Sequence, residues 1–454
     1  MNFSQCREAL AASRWLGWCP AACKISGVLQ RFLESRRNRG ASLSASPRRF
    51  TVPPLTESLF DRLQHLDPQS ERFAVDVVQL LLDHARQSRA SDLHLIPNAK
   101  KQLDVLCRTD GLLHPVACIQ SAASNIVSRL KVLAELLTYR NDLPQEGRIR
   151  NTGDGVEMRV STFPTVHGEK AVVRLFVGSG KFLQLEDLRF PADVLTQCNQ
   201  WLAQPQGVLL VSGPAGAGKT TTLYAALRQI QLQSLTPRSL CSLEDPVEAL
   251  VPGVAQSQMN PQAGFTYEVG LKSLLRQDPE VLMVGEIRDK VTAEIVFQAS
   301  LTGHQVLTTF HAGRAAEACG RLLDMGIEPY IIKSGLLGIL GQRLVRTLCS
   351  CRRESTAEAD LIGWPVQRAS VAVGCPECGL TGYKGRLPLV EALAARDGSV
   401  GAALLRRASV QEIDRAAIEA GMIPLQRRAA DAIEAGLTTV PEAIRVLGIS
   451  WDHD

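Results

Sequence analysis

The sequence predicts an α/β protein whose main domain is built on a largely parallel, covered sheet, with an α+β module before it and helices after it. Between about residues 190 and 345, apolar runs of strand length alternate with helices, the pattern of a parallel sheet buried on both faces. Upstream, "VEMRVSTF" and "EKAVVRLF" are strands joined by the turn-rich "PTVHG". Beyond residue 395, "VQEIDRAAIEAG", "PLQRRAADAIEAG" and "TVPEAIRVLG" have helical periodicity and stop at Gly. A chain of 454 residues is too long for one core, so two or three domains are expected.

In chain order, residues 1–54 form a basic, partly disordered segment. Within it 34–54 are rich in Arg, Ser and Pro, the composition of a linker. The stretch before that linker is helix-like and reads as a poorly ordered start of the chain. The first fifty residues hold nine Lys/Arg and two Asp/Glu, a charge of +7, so with +4 overall the remainder sums to −3. A duplex-gripping protein would carry its excess positive charge in the folded part. No apolar run approaches the ~20 residues of a membrane span. The N-terminus also lacks an apolar core with a cleavage site, which argues against secretion.

An α+β lobe over 55–185 comes next, with "AVDVVQLLLDHARQ" as a helix and "DLHLIP" alternating as a strand. The core over 186–345 carries the strands "GVLLVSG", "SLCSLED", "EVLMVGE" and "QVLTTFH". Each ends in a polar or Gly-rich cluster, and ligands of open α/β sheets bind outside the carboxyl ends of the strands. A cysteine segment over 346–388 and a helical region over 389–454 complete the chain. Twelve cysteines in a chain of cytosolic character indicate thiols or metal rather than disulfides.

"GPAGAGKT" follows a strand and opens a helix, the setting in which this motif cradles phosphate. The loop residues Gly213, Pro214, Ala215, Gly216, Ala217 and Gly218 let backbone N–H groups curl around an anion, and Thr220 and Thr221 begin the helix. Lys219 reaches the β/γ-phosphates of a nucleotide, and the Thr220 hydroxyl is a Mg²⁺ ligand. "LEDPVE" places Glu244, Asp245 and Glu248 at the end of what reads as the neighbouring strand, as metal-shell and water-polarising carboxylates.

"VLMVGEIRD" ends in Gly285-Glu286 where such strands usually end in Asp. Gly285 cannot ligate, so Glu286 is the carboxylate available to the metal, and Glu244 is the candidate to deprotonate the attacking water. The two roles are exchangeable on sequence grounds. Arg288 and Asp289 suit the clasping of neighbouring loops or subunits. His304 and His311 stand at opposite ends of one strand, roughly 23 Å apart at ~3.3 Å per residue, so only His311 reaches the γ-phosphate. His304 is expected to bond across a domain or subunit boundary. Cys349 and Cys351, with Cys375 and Cys378, form a Cys₄ pattern suited to Zn²⁺, although Cys-x-Cys is tighter than usual.

Together these residues resemble the ATPases of type II secretion and type IV pilus assembly, the GspE/PilB family, over about residues 70–450. The marks are "RASDLHLIP", "LPQEGRI", "RVSTFPTVHGEKAVVRLF", "GPAGAGKTTTLYAAL", "EDPVE", "LLRQDPEVLMVGEIRD", "TGHQVLTTFH", "QRLVRTLC" and "GCPECGLTGYKGR". The resemblance implies a RecA-like ATPase core behind a PAS-like lobe. It also implies a homo-hexamer peripheral to the cytoplasmic face of the inner membrane, driving pilin-like subunits into a fibre through a platform protein. Arg159 and Arg174 match the family's arginines that reach toward phosphate. "HAGRAAE" departs from the common His-Thr-Asn continuation. A basic segment of about fifty residues stands where many members carry a docking domain, which puts the usual membrane recruitment in question. A retraction motor would lack the Cys₄ segment. A nucleic-acid translocase would need a basic, aromatic face, so no specific nucleic acid is expected.

Overall fold

The computed structural model describes residues 59–149, 158–175, 184–396 and 398–448; the basic segment expected over 1–54 lies outside them. The first elements are helices α1 (Leu59–Gln64) and α2 (Phe73–Gln87) and strands β1 (Asp92–Pro97), β2 (Leu103–Thr109) and β3 (Leu112–Ile119). Helix α3 (Ala123–Leu133) follows, then β4 (Gln145–Ile149), β5 (Met158–Thr165) and β6 (Gly168–Leu175). The strands form one antiparallel sheet in the order β3-β2-β1-β6-β5-β4. Period-two alternation turns Leu93, Leu95, Val105, Val160 and Val173 to one face. There they meet Val77, Leu81 and Ala85 of α2 and Ile126 and Leu130 of α3 in a single core.

The second sheet begins after α4 (Ala192–Leu202), with β7 (Gly207–Ser212), α5 (Lys219–Gln233), β8 (Leu240–Glu244), β9 (Ala255–Gln258), α6 (Tyr267–Leu274) and β10 (Val281–Val284). It continues through α7 (Lys290–Leu301), β11 (Gln305–Phe310), α8 (Ala315–Asp324), α9 (Pro329–Gly335) and β12 (Leu336–Leu348). After β13 (Arg353–Ser355), α10 (Glu358–Leu361) and β14 (Ala369–Val371), the chain re-enters the sheet as β15 (Tyr383–Ala394). The order is β15-β12-β7-β11-β10-β8-β9, parallel throughout except for β15.

Strands β7, β10 and β11 are buried along their whole lengths; β7 and β10 are almost wholly apolar, while β11 also buries Gln305, Thr308 and Thr309. Alternate residues feed two cores. Val208, Leu210, Leu282 and Val306 pack with α7 and α8 on one face, and Leu209, Val211, Met283 and Leu307 with α4 and α5 on the other. One sequence reading needs correction: β8 is not the neighbour of β7, because β11 and β10 lie between them. Register runs from Gly338↔Ala394 to Leu348↔Tyr383, so residues 349–382 are an excursion between two adjacent strands of the second sheet.

Helices α11 (Gly398–Leu405), α12 (Val410–Glu419), α13 (Leu425–Glu434) and α14 (Val440–Leu447) close the fold. The first two join the core on the α7/α8 face, and the last two cover Val345 and Leu389 at the far end of β12 and β15. Among the described residues, polar contacts tie the first sheet to the second, Arg386 of β15 lying 3.9 Å from Asp110. Asp110 accepts from the Gly385 N–H at 2.9 Å, and Arg148 Nη2 donates to Gln258 Oε1 at 2.8 Å. Among the described residues no helix is long and apolar enough to cross a membrane.

Candidate functional site

Because β7, β8, β10 and β11 are parallel, their carboxyl ends share one edge. The phosphate-loop motif spans the gap between Ser212, the last residue of β7, and Lys219, the first of α5. Gly216 (φ +75) and Gly218 (φ +85) take left-handed conformations that the loop needs to curl. The 15 residues of α5 then aim their first-turn N–H groups into the loop, where an anion is favoured. Gly213 is needed for space, since a Cβ there would lie 2.5 Å from the Gln342 carbonyl oxygen.

Lys219 is 8% exposed, and its ammonium donates to the carbonyls of Gly213 at 2.8 Å and Pro214 at 3.0 Å. Burial pulls its pKa down, while the charge of Glu286 pulls it up. A buried cation in contact with carbonyl groups alone has more to gain from an anion, which is what a phosphate supplies. A brace that sequence reasoning missed is Gln342. It is buried on β12, with Nε2 donating to the Ala217 carbonyl at 2.7 Å and Oε1 accepting from Thr222 at 2.9 Å. Its only signal in the sequence is its place in "QRLVRTLC".

The carboxylates divide sharply. Glu244 is 2% exposed, and three donors fill it: Tyr224 Oη at 2.5 Å, Ser242 Oγ at 2.5 Å and Gln256 Nε2 at 3.0 Å. The same Tyr224 hydroxyl accepts from the Glu248 N–H at 3.2 Å, so the Glu244–Tyr224 pair fixes the start of the loop that follows β8. The Glu248 carboxyl faces the Thr220 hydroxyl. Desolvation holds its pKa up, opposed by that hydroxyl and by the charges of Arg174 and Lys219.

Glu286 opens to the site, with 16% of its side chain exposed and Oε2 3.0 Å from His311 Nε2. Its other oxygen accepts from Arg288, which also reaches Asp245 at 3.4 Å and so clasps the β10 and β8 loops. The glycine before Glu286 has a steric cause. A Cβ on Gly285 would lie 2.6 Å from the Tyr267 hydroxyl, so neither Asp nor Ala fits there. Asp289 caps α7 by accepting the Thr292 N–H at 2.8 Å.

His311 stands at the end of β11, 51% exposed, and reaches the site. Within the chain, His304 bonds locally: its Nδ1 lies 3.0 Å from the Ala299 carbonyl and 3.3 Å from Thr302 Oγ1. Arg159 and Arg174 face each other across β5 and β6, each engaged by a carboxylate of its own sheet. Arg159 pairs with Glu146, and Arg174 with the buried Asp92 at 2.9 Å. The Arg174 charge is felt at Glu248.

The sulfurs of Cys349, Cys351, Cys375 and Cys378 lie within 4.8 Å of one another. Three of these separations are 3.8, 3.9 and 3.7 Å. Four thiolates placed tetrahedrally at ~2.3 Å from one ion stand about 3.8 Å apart, so the donor set fits Zn²⁺. The Cys378 thiol is pulled down to about 6: burial opposes this, but the N–H groups of Cys375 and Gly382 outweigh it. Purified protein should therefore carry about one zinc per chain, checked by elemental analysis and thiol titration. Cys378→Ser should lower the metal content and loosen residues 349–382, because such a site adds folding energy only when complete. Four freely titrating thiols without zinc would refute the site.

The family model described as Type II/IV secretion system protein matches residues 67–445. The Type II secretion system protein HxcR of Pseudomonas aeruginosa is 41% identical over 385 residues, covering 84% of this chain and 79% of its own. The Type II secretion system ATPase E of Vibrio cholerae is 37% identical over 433 residues, covering 93% and 84%. Among solved structures, the Legionella pneumophila ATPase DotB superposes with a TM-score of 0.61 at 19% identity, over 83% of this chain and 96% of that one, a likeness of fold. With a RecA-like sheet, its phosphate loop and a match that spans most of the sequence, the chain belongs to the type II/IV secretion system family of ATPases.

Proposed function

We propose that this chain hydrolyses ATP to drive assembly of a pilin-like fibre, working as a homo-hexamer on an inner-membrane platform protein. The observation that supports it most is Lys219, a buried ammonium held by carbonyls alone and facing the Glu286–His311 pair. Gly213 to Thr221 hold the phosphates, and Lys219 neutralises charge on the β/γ-phosphates. Thr220 and Glu286 are oxygen donors suited to Mg²⁺, which withdraws charge from the phosphates when bound. Glu244 takes the proton of the attacking water, and His311 holds Glu286 in place. Arg159 and Arg174 exchange their carboxylate partners for phosphate oxygens when the two lobes, or two subunits, close. Cys349, Cys351, Cys375 and Cys378 would hold Zn²⁺, which would stiffen the excursion from the sheet.

Type II secretion is the favoured setting, because both relatives bear that name over most of this chain. The −3 balance beyond residue 50 suits a protein partner better than a nucleic-acid duplex. Sedimentation with a non-hydrolysable ATP analogue and Mg²⁺ should give a six-subunit species. Pull-down from membranes of the source cell should recover a polytopic platform protein. A monomer under all nucleotide conditions, together with salt-sensitive DNA binding, would overturn the reading in favour of a nucleic-acid motor.

A further inference from the structure

A buried carboxylate outside the nucleotide site is tied to it through one helix. Glu391, on β15, is fully buried. One of its oxygens accepts the Ala315 N–H at 2.6 Å, and the other accepts the Leu425 N–H at 3.3 Å. These are the first residues of α8 and α13, so a single side chain satisfies donors at two helix starts. Gly341 on β12 makes the room, since a Cβ there would lie 2.6 Å from the Glu391 carboxylate.

Helix α8 in turn holds the segment that carries His311. Glu317, in its first turn, accepts the N–H groups of Gly313 at 2.6 Å and Arg314 at 3.1 Å through one oxygen. Arg321, a turn later, donates to the His311 carbonyl and covers the Phe310 ring at 5.4 Å. The His311 carbonyl and the backbone that follows it are therefore strapped to α8, and the start of α8 is pinned by Glu391. His311 then meets Glu286 at 3.0 Å.

We infer that Glu391 is a positioning residue: through α8 it fixes the loop that presents His311 to Glu286. This rests on the proposed role of His311. The chemistry at 391 has to be a carboxylate. Glutamine has the same shape, but only one oxygen to accept, and its amide would face the second N–H donor to donor. One helix start then shifts, and a displacement of under an ångström at His311 is enough to slow the reaction. Nucleotide affinity should be spared, because the hydrogen bonds of Glu391 go to α8 and α13, whereas Gln342 bonds to Ala217 of the phosphate loop and Thr222 of α5.

The test is a double-mutant cycle on the full chain, measuring kcat and KM for ATP with thermal midpoints alongside. Glu391→Gln should lower kcat about tenfold or more with KM unchanged, the scale expected of remote misplacement. In a His311→Ala background the same substitution should cause no further loss, because its route to the chemistry is already gone. Full kcat in Glu391→Gln, or losses that multiply in the double variant, would overturn the inference while leaving His311's role standing. Wild-type activity in His311→Ala overturns that role and the inference with it. Should Glu391→Gln fail to fold, the cycle is run on half-buried Glu317. There Ala should cost activity through His311 and Gln should restore it, since one oxygen receives both N–H groups. Loss of activity in both Glu317 variants, multiplying with His311→Ala, overturns the inference.

Discussion

Lys219→Ala should bind ATP weakly and lose turnover by roughly 10²- to 10³-fold, the scale seen when one preorganised electrostatic contact is removed. The reason lies in how little else competes for this charge. Its ammonium is buried, and its two contacts are the carbonyls of Gly213 and Pro214. Glu286 supports the charged form from a distance against the cost of burial. Arriving phosphate thus meets a largely buried cation without a carboxylate partner. Removing it also strips those two carbonyls of their donor. Lys219→Arg should not restore function, because a planar fork does not fit a space shaped for a compact ammonium. Titration calorimetry with ATP and Mg²⁺, beside steady-state hydrolysis, checks both parts. Undiminished turnover in Lys219→Ala would place the site elsewhere.

The parts of this molecule that local physics controls were legible in its sequence. Strands β7 and β10 are buried on both faces, so their central residues had to be apolar. The loop from Gly213 to Gly218 needs left-handed backbone, so its glycines stand out. Long-range pairing was not legible. Strand order is set by crossovers, which is why β8 read as the neighbour of β7 although β11 and β10 lie between them. Nothing in the sequence singles out Tyr224, whose hydroxyl ties Glu244 to the Glu248 loop. Asp92 and Arg174 are 82 positions apart and meet only because β1 pairs with β6. The tight Cys-x-Cys pair is explained in the same way. β12 and β15 pair down to Leu348 and Tyr383, and the Cys349 N–H donates to the Gly382 carbonyl at 2.9 Å, so the sheet sets the mouth of the cluster.

Glu244→Gln and Glu286→Gln should both lose at least ~10² in turnover, the low end for a general base, but they should fail in different ways. Glu286 faces the loop lysine and His311 with part of its carboxylate open. Its amide would bind a hard cation poorly, so Glu286→Gln should raise the Mg²⁺ concentration needed for half-maximal nucleotide binding. Glu244 is closed off by Tyr224, Ser242 and Gln256. To receive a proton from water it must give up one of these donors as the site closes around nucleotide. Glutamine keeps the size and most of the hydrogen bonds but takes no proton, so Glu244→Gln should bind ATP–Mg²⁺ normally and stall before cleavage. Tyr224→Phe separates proton transfer from bracing. It leaves the Glu244 carboxylate and frees the loop at Glu248, so it should weaken binding more than it slows the chemical step. The deciding measurement is nucleotide affinity across a Mg²⁺ titration for all three variants, with single-turnover rates beside it. If Glu244→Gln turns over at the wild-type rate, Glu244 is a brace for the β8 loop, and Glu286, already paired with His311, is the base.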